Sequence, residues 1–371
     1  MVENSTLLIP TTPTAVCEDV TSLVTYSIYI IEGIVMFIGN LLLLLPIALH
    51  QGMRIKKEYI LIGALALADC LNGVGYFMAG VDRVHLILNC AQHQLVSRWV
   101  CATLPSTMIW FFDEMTTGTM MAVISTDRLI LVTFPHWYMT QGANYAYCMA
   151  AIAYLHSFLI GLVGTYRVWS IRNVVELYKP RMCFFSYGCE SMHNAYHVSV
   201  TSYGGLASVI IYFVVLLLYK KRSAKVTSRT SEAQAKRQRH MTISMGISAM
   251  FTLLLFVIPV QFDVIISRYT TLPSTFIAFC YILANSNCIA NLFIYVVRHA
   301  EIRKGIVAVF KWQTLPIDMN QWVERNAAIV AKSDQSPRAG GTNSYRTGSV
   351  NLIEVRSRAT SAADEAEKVL Q

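Results

Sequence analysis

The sequence predicts an all-α membrane protein, a bundle of seven transmembrane helices with its N-terminus outside, and three observations predict it. Hydrophobic residues make up 54% of the 371 positions and charged residues only 14%, whereas about a quarter of a soluble domain is charged. Seven stretches reach the roughly 20 apolar residues that a helix needs to cross a hydrocarbon layer. The Lys and Arg residues are also unequally divided: the inner loops and the segment up to Lys311 carry 16, the outer loops seven. That asymmetry follows the positive-inside rule for an outside N-terminus.

Taken in order, residues 1–22 are short, Thr-rich and interrupted by Pro10 and Pro13, which predicts an extended extracellular tail. Within it Asn4-Ser5-Thr6 is a glycosylation sequon, usable only if the N-terminus enters the lumen. The tail has neither a basic start nor a long apolar run, so the first span is expected to direct insertion itself. Spans are predicted at 23 to 49, 59 to 81, 99 to 133, 144 to 167, 197 to 219, 241 to 266 and 274 to 297, making 23–297 the bundle. Short loops force neighbouring spans to pack antiparallel; the outer loop 168–196 and the inner loop 220–240 are the long ones. In 298–312, Ile302, Ile306, Val309 and Phe310 form one stripe while Arg303, Lys304 and Lys311 lie elsewhere, as in an amphipathic helix resting on the inner leaflet. Residues 313–371 turn to Ser, Thr, Gly and charge, a composition that cannot bury enough surface to fold and predicts a disordered cytoplasmic tail.

The net charge of +8 sits in loops and tail, so the expected partner is membrane lipid and not nucleic acid. The sequence has no HExxH, no paired catalytic carboxylates at usable spacing and no internal repeat, which argues against an enzyme or a transporter. Of the nine cysteines, Cys70, Cys148, Cys280 and Cys288 fall within spans as packing residues. Cys17, Cys90, Cys101, Cys183 and Cys189 fall on the outer side, where disulfides persist. None has the spacing of a metal site.

Ionisable residues within spans are costly and mark function by default; Glu32, Asp69, Asp113, Glu114 and Asp263 are the acidic set. Polar motifs recur one per span: Gly39-Asn40 in the first, Leu65-Ala66-Leu67-Ala68-Asp69 in the second, and Asp127-Arg128-Leu129 followed by Phe134-Pro135 at the inner end of the third. Pro259 stands in the sixth, and Asn291-Leu292-Phe293-Ile294-Tyr295 in the seventh. In order and depth, across residues 39 to 295, this set resembles the signature of rhodopsin-like G-protein-coupled receptors. The Leu after Asp127-Arg128, the Phe-Pro and the thinned signature are most similar to the nematode serpentine chemoreceptors, of the Srsx type or a near relative.

That resemblance implies a receptor of the plasma membrane or sensory cilium, not an enzyme, that passes binding of an extracellular small molecule or peptide to heterotrimeric G proteins. Arrestin and a receptor kinase would act at the tail. The implied G-protein-coupling switch is Asp127, Arg128, Leu129, Asn291, Tyr295 and Pro259, with Pro259 as the hinge of an outward-moving sixth helix. A polar core of Asn40, Asp69, Thr117, Asn287 and Asn291 would suit a structural Na⁺ ion. The implied ligand pocket collects Trp110, Asp113, Glu114, Gln261, Phe262, Asp263, Tyr281 and Asn285. Asn285 stands where opsins carry the retinal-bearing lysine, which disfavours an opsin. Cys101 would bridge to Cys183 or Cys189, and Cys17 to Cys90. A neuropeptide or amine receptor of the same fold is the alternative, and an inverted odorant-gated cation channel a more distant one.

The departures from the family pattern are specific. Cys101 and Arg128 are 27 positions apart, two more than usual, which predicts a bulge near Pro105. The fourth span has no Trp, the fifth has Gly204-Gly205 but no Pro, and Val257 replaces the sixth-span switch Trp. Arg239 stands where an acidic partner of the motif arginine is usual, so Asp127 alone is expected to restrain Arg128.

Overall fold

A computed structural model describes residues 20–172, 178–223, 246–266 and 274–311, all within one compact unit. Asn4, Cys17, Arg239, Arg268 and the tail lie outside the described residues. The fold is the expected all-α membrane bundle of seven helices: Val20–Leu49, Lys57–Leu88, Pro105–Thr133, Ala143–Ser170, Ser191–Ser223, the stretch 246–266 and Ser274–Arg298. Five of them are apolar and long enough to cross a membrane by length and composition alone. The third is less apolar because it carries Asp113, Glu114, Asp127 and Arg128. Large side chains such as Ile31, Leu155, Phe158 and Phe213 are at least half exposed on the outside of the bundle, as lipid-facing residues should be.

Glycine sets the closest helix crossings. A Cβ on Gly73 would come within 2.7 Å of the Phe37 backbone nitrogen, so the first two spans meet backbone to backbone. At the crossing of the third and fifth spans, a Cβ on Gly118 would lie 2.7 Å from the Thr201 carbonyl oxygen and one on Gly204 2.6 Å from that of Gly118. Without a hydrophobic driving force between helices in lipid, such small-residue contacts supply the packing.

The third span departs from the expected 99 to 133. A short helix, Arg98–Ala102, stops at Thr103, and the span restarts at Pro105, which occupies its first turn. Proline suits that position because its missing N–H would be unpaired there anyway. The two extra residues between Cys101 and Arg128 are therefore taken up by a break and not by a bulge inside a continuous helix.

In the sixth span, Thr252–Val257 is a π-helical turn leading into Ile258–Ile266. Pro259 cannot donate to the carbonyl four residues earlier, and the widened turn absorbs the mismatch. After the seventh span, Ala300–Phe310 forms the expected surface helix with Ile302 fully buried. Gly305 lets it approach Pro46 of the first span, and Lys56 pairs with Glu301 at 2.7 Å. Phe310 remains 67% exposed, open to lipid.

On the outer side, Leu95–Ser97 pairs antiparallel with Tyr178–Pro180, placing Val96 opposite Lys179. Composition gave no sign of this small sheet, since three-residue strands lack a readable alternation. The short inner-loop helix Pro135–Thr140 was not expected either.

Candidate functional site

At the inner end, Asp127 and Arg128 form a buried ion pair at 2.8 Å, with side chains 0% and 4% exposed. Tyr138, on the helix that begins at Pro135, donates its hydroxyl to Asp127 Oδ2 at 3.2 Å. Lys57 donates to the Tyr138 carbonyl and places its Nζ 3.6 Å from the centroid of that ring. Burial holds the Tyr138 phenol above its ordinary value, so it stays a donor. Asp127 is thus clamped between a cation and a hydroxyl, which makes the pair affordable in a low-dielectric setting. Arg128 Nε has no hydrogen-bond partner among the described residues, leaving a donor for a different arrangement. Leu129 is half-buried beside it. Tyr138 and Lys57 were missed by sequence reasoning; the Phe-Pro before Tyr138 was the available sign of a helix start.

Above this pair lies a cavity of about 30 Å³ lined by Ser125, Ser208, Tyr212, Ser248, Asn291 and Tyr295 among others, room for a single water. Ser248 donates to Asn291 Oδ1, and Thr252 to Asn287 Oδ1 at 3.1 Å. The seventh-span asparagines are therefore tied to the sixth span at and just before its π turn. Tyr295 is buried and its ring lies 6.0 Å from that of His299.

This changes the expected polar core. Asn40 donates back to Met36 O of its own helix at 3.0 Å, while Asn287 and Asn291 commit their carbonyl oxygens to Thr252 and Ser248. Asp69 Oδ1 and Thr117 Oγ1 remain buried without hydrogen-bond partners among the described residues. Oxygens of this kind suit a hard cation. Among the described residues no group of three or more His, Cys, Asp and Glu side chains could hold a metal.

At the outer end the disulfide joins Cys101 to Cys183. Cys189 is a buried free thiol, its Sγ 3.1 Å from the Phe185 carbonyl oxygen, and burial pushes it up. Cys183 has a φ of 41°, a left-handed conformation uncommon outside glycine. Arg83 holds that segment, donating to Met182 O at 3.1 Å and Cys183 O at 3.3 Å. Its guanidinium lies 4.7 Å from the Phe184 ring and 5.2 Å from that of Tyr26. Sequence reasoning counted Arg83 only as a loop charge, because the second helix was expected to end at 81 and runs to Leu88. Cys90 is also disulfide-bonded; its expected partner Cys17 lies outside the described residues.

The expected pocket residues do not all converge. Trp110 packs at 5.1 Å against Tyr76 in an aromatic cluster that Tyr281 adjoins. Glu114 lies 3.6 Å from His197 of the fifth span, Gln261 donates to Ser202, and Asn285 is 3% exposed. Phe262 is turned outward, 47% exposed and 5.7 Å from Phe276, since it sits about 100° around the helix from Gln261. Asp113 is likewise displaced toward the second and fourth spans, one position and about 100° from Glu114. The side chain of Asp263 lies outside the described residues. An acid missed as a partner, Glu32, accepts from Ser286 at 3.2 Å.

A family model for the seven-transmembrane receptors of the rhodopsin family matches residues 39–295, more than two thirds of the chain. A search of curated proteins found no match.

Proposed function

The chain belongs to the rhodopsin family of seven-transmembrane receptors, and from that premise we propose that it is a chemosensory receptor coupled to heterotrimeric G proteins. It is a multi-pass membrane protein, and ligand and G protein are the family's general partners. The plasma membrane or a sensory cilium is the proposed location, with arrestin and a receptor kinase acting at the tail.

The observation that carries the reading is the clamped Asp127–Arg128 pair beneath a sixth span with a built-in hinge. At rest Asp127 holds the guanidinium inside the bundle. Ligand binding on the outer side shifts the equilibrium toward a state in which the sixth helix swings out about Pro259, releasing Ser248 and Thr252 from the seventh-span asparagines. Arg128 then turns toward the G protein. A ligand does this only by binding the open state more tightly than the closed one. Asp69 Oδ1 and Thr117 Oγ1 would hold a Na⁺ ion in the resting state. Two acids within the spans, the half-buried Glu114 and the buried Glu32, keep an amine or peptide receptor as the second reading.

Nucleotide exchange tests the proposal without a known ligand. Purified receptor in lipid discs should accelerate GTPγS uptake by at least one class of G-protein heterotrimer over empty discs, and Arg128→Ala should remove the effect. If no class responds to the wild type, G-protein coupling is wrong.

A further inference from the structure

Between the second, third and fourth spans lies a second, separate cavity of about 700 Å³, within the size range of small-molecule sites. Its walls are Leu71, Met108, Phe112, Ala151, Leu155 and Phe158 among others, and all are apolar except for Asp113 and Tyr154. Leu71, Leu155 and Phe158 are 39%, 56% and 50% exposed, so the groove opens sideways to the lipid. The fourth span lines the groove with the small Ala151 beside the larger Tyr154, Leu155 and Phe158.

Asp113 is the exception that gives the groove its chemistry. It is 3% exposed, and both of its carboxylate oxygens are buried without a hydrogen-bond partner among the described residues. Tyr154 does not supply one, because its hydroxyl donates to the Ala64 carbonyl at 2.7 Å. Lys and Arg are absent from the lining, while Asp69 and Glu114 are near enough to interact with Asp113 electrostatically. An unpaired carboxylate at this depth is expensive, and it is relieved by a proton or by a cation whose apolar body suits the groove.

We propose that this groove binds a lipophilic amine that enters from the bilayer and seats its ammonium on Asp113. The apolar walls take the hydrocarbon part, and the charge-assisted hydrogen bond fixes the head. The site does not rest on G-protein coupling.

The test is photolabelling of the full-length receptor in neutral-lipid discs. The probe is a medium-chain alkylamine with a diazirine on its tail, compared with the alcohol and carboxylate of the same chain. The amine should label segments 108–112 and 151–158 saturably. Asp113→Asn should weaken that labelling by about tenfold or more, the usual effect of losing a charged hydrogen bond. Ala151→Trp, which fills the groove and leaves Asp113 in place, should abolish it while the thermal unfolding profile is kept. Equal labelling by the alcohol, labelling indifferent to both variants, or saturable labelling confined to other segments would each overturn the proposal.

Discussion

Single residues decide the chemistry at both ends of the bundle. The choice between Cys183 and Cys189 could not be made from sequence, because both fall in one outer loop within reach of Cys101. The two-stranded sheet and the Arg83 contacts hold the Cys183 segment, which bridges to Cys101, while Cys189 packs beside Ala102 and Phe111 as a free thiol. Cys183→Ser is therefore expected to abolish surface expression, while Cys189→Ser leaves it near wild type, as read by surface immunolabelling; equal loss in both would refute the assignment. Arg83→Gln should weaken the same roof by removing a cation that four aromatic rings surround. Cation–π and charged hydrogen bonds of this kind are worth roughly 1–3 kcal/mol each. The motif residues Asp127 and Arg128 were legible because their pairing is local in sequence. Tyr138, Lys57 and Arg83 were not, because their roles depend on contacts made across the fold.

At the scale of elements, span positions were readable because hydrophobic length is a strong signal, whereas breaks and turns were not. The interruption at Thr103 announced itself only as a spacing that was two residues too long. The π turn at Thr252–Val257 left no trace beyond Pro259. If this turn and Pro259 form the hinge, Pro259→Ala should stiffen the sixth span and lower basal nucleotide exchange, while Val257→Leu, which leaves the backbone alone, should change it little. The glycine crossing of the third and fifth spans makes a second prediction. Gly204→Ala must displace backbone at 2.6 Å, at a cost of about 1–3 kcal/mol for overpacking. Gly142→Ala, with nothing within 4 Å, should be neutral. A thermal-shift measurement in which the two variants unfold together would show that the crossing is not tight.

For the whole molecule, composition and charge asymmetry were sufficient for the architecture, since lipid permits few ways to satisfy a backbone. The ligand region was only partly legible: a one-residue step along a helix sends Phe262 to the lipid and Asp113 to the lateral groove, and sequence motifs do not fix helix rotation. Orientation is checked by Asn4, whose glycosylation should give an endoglycosidase-sensitive gel shift that Asn4→Gln removes. The central claim is that a buried Asp127–Arg128 pair restrains a G-protein switch. Its most direct test is basal GTPγS exchange by Asp127→Asn beside wild type and Arg128→Ala in the same lipid discs. Losing the carboxylate should shift the equilibrium by roughly 1.4 kcal/mol and raise exchange about tenfold, with Arg128→Ala at background. Exchange by Asp127→Asn equal to wild type, or as low as Arg128→Ala in a folded receptor, would contradict the account.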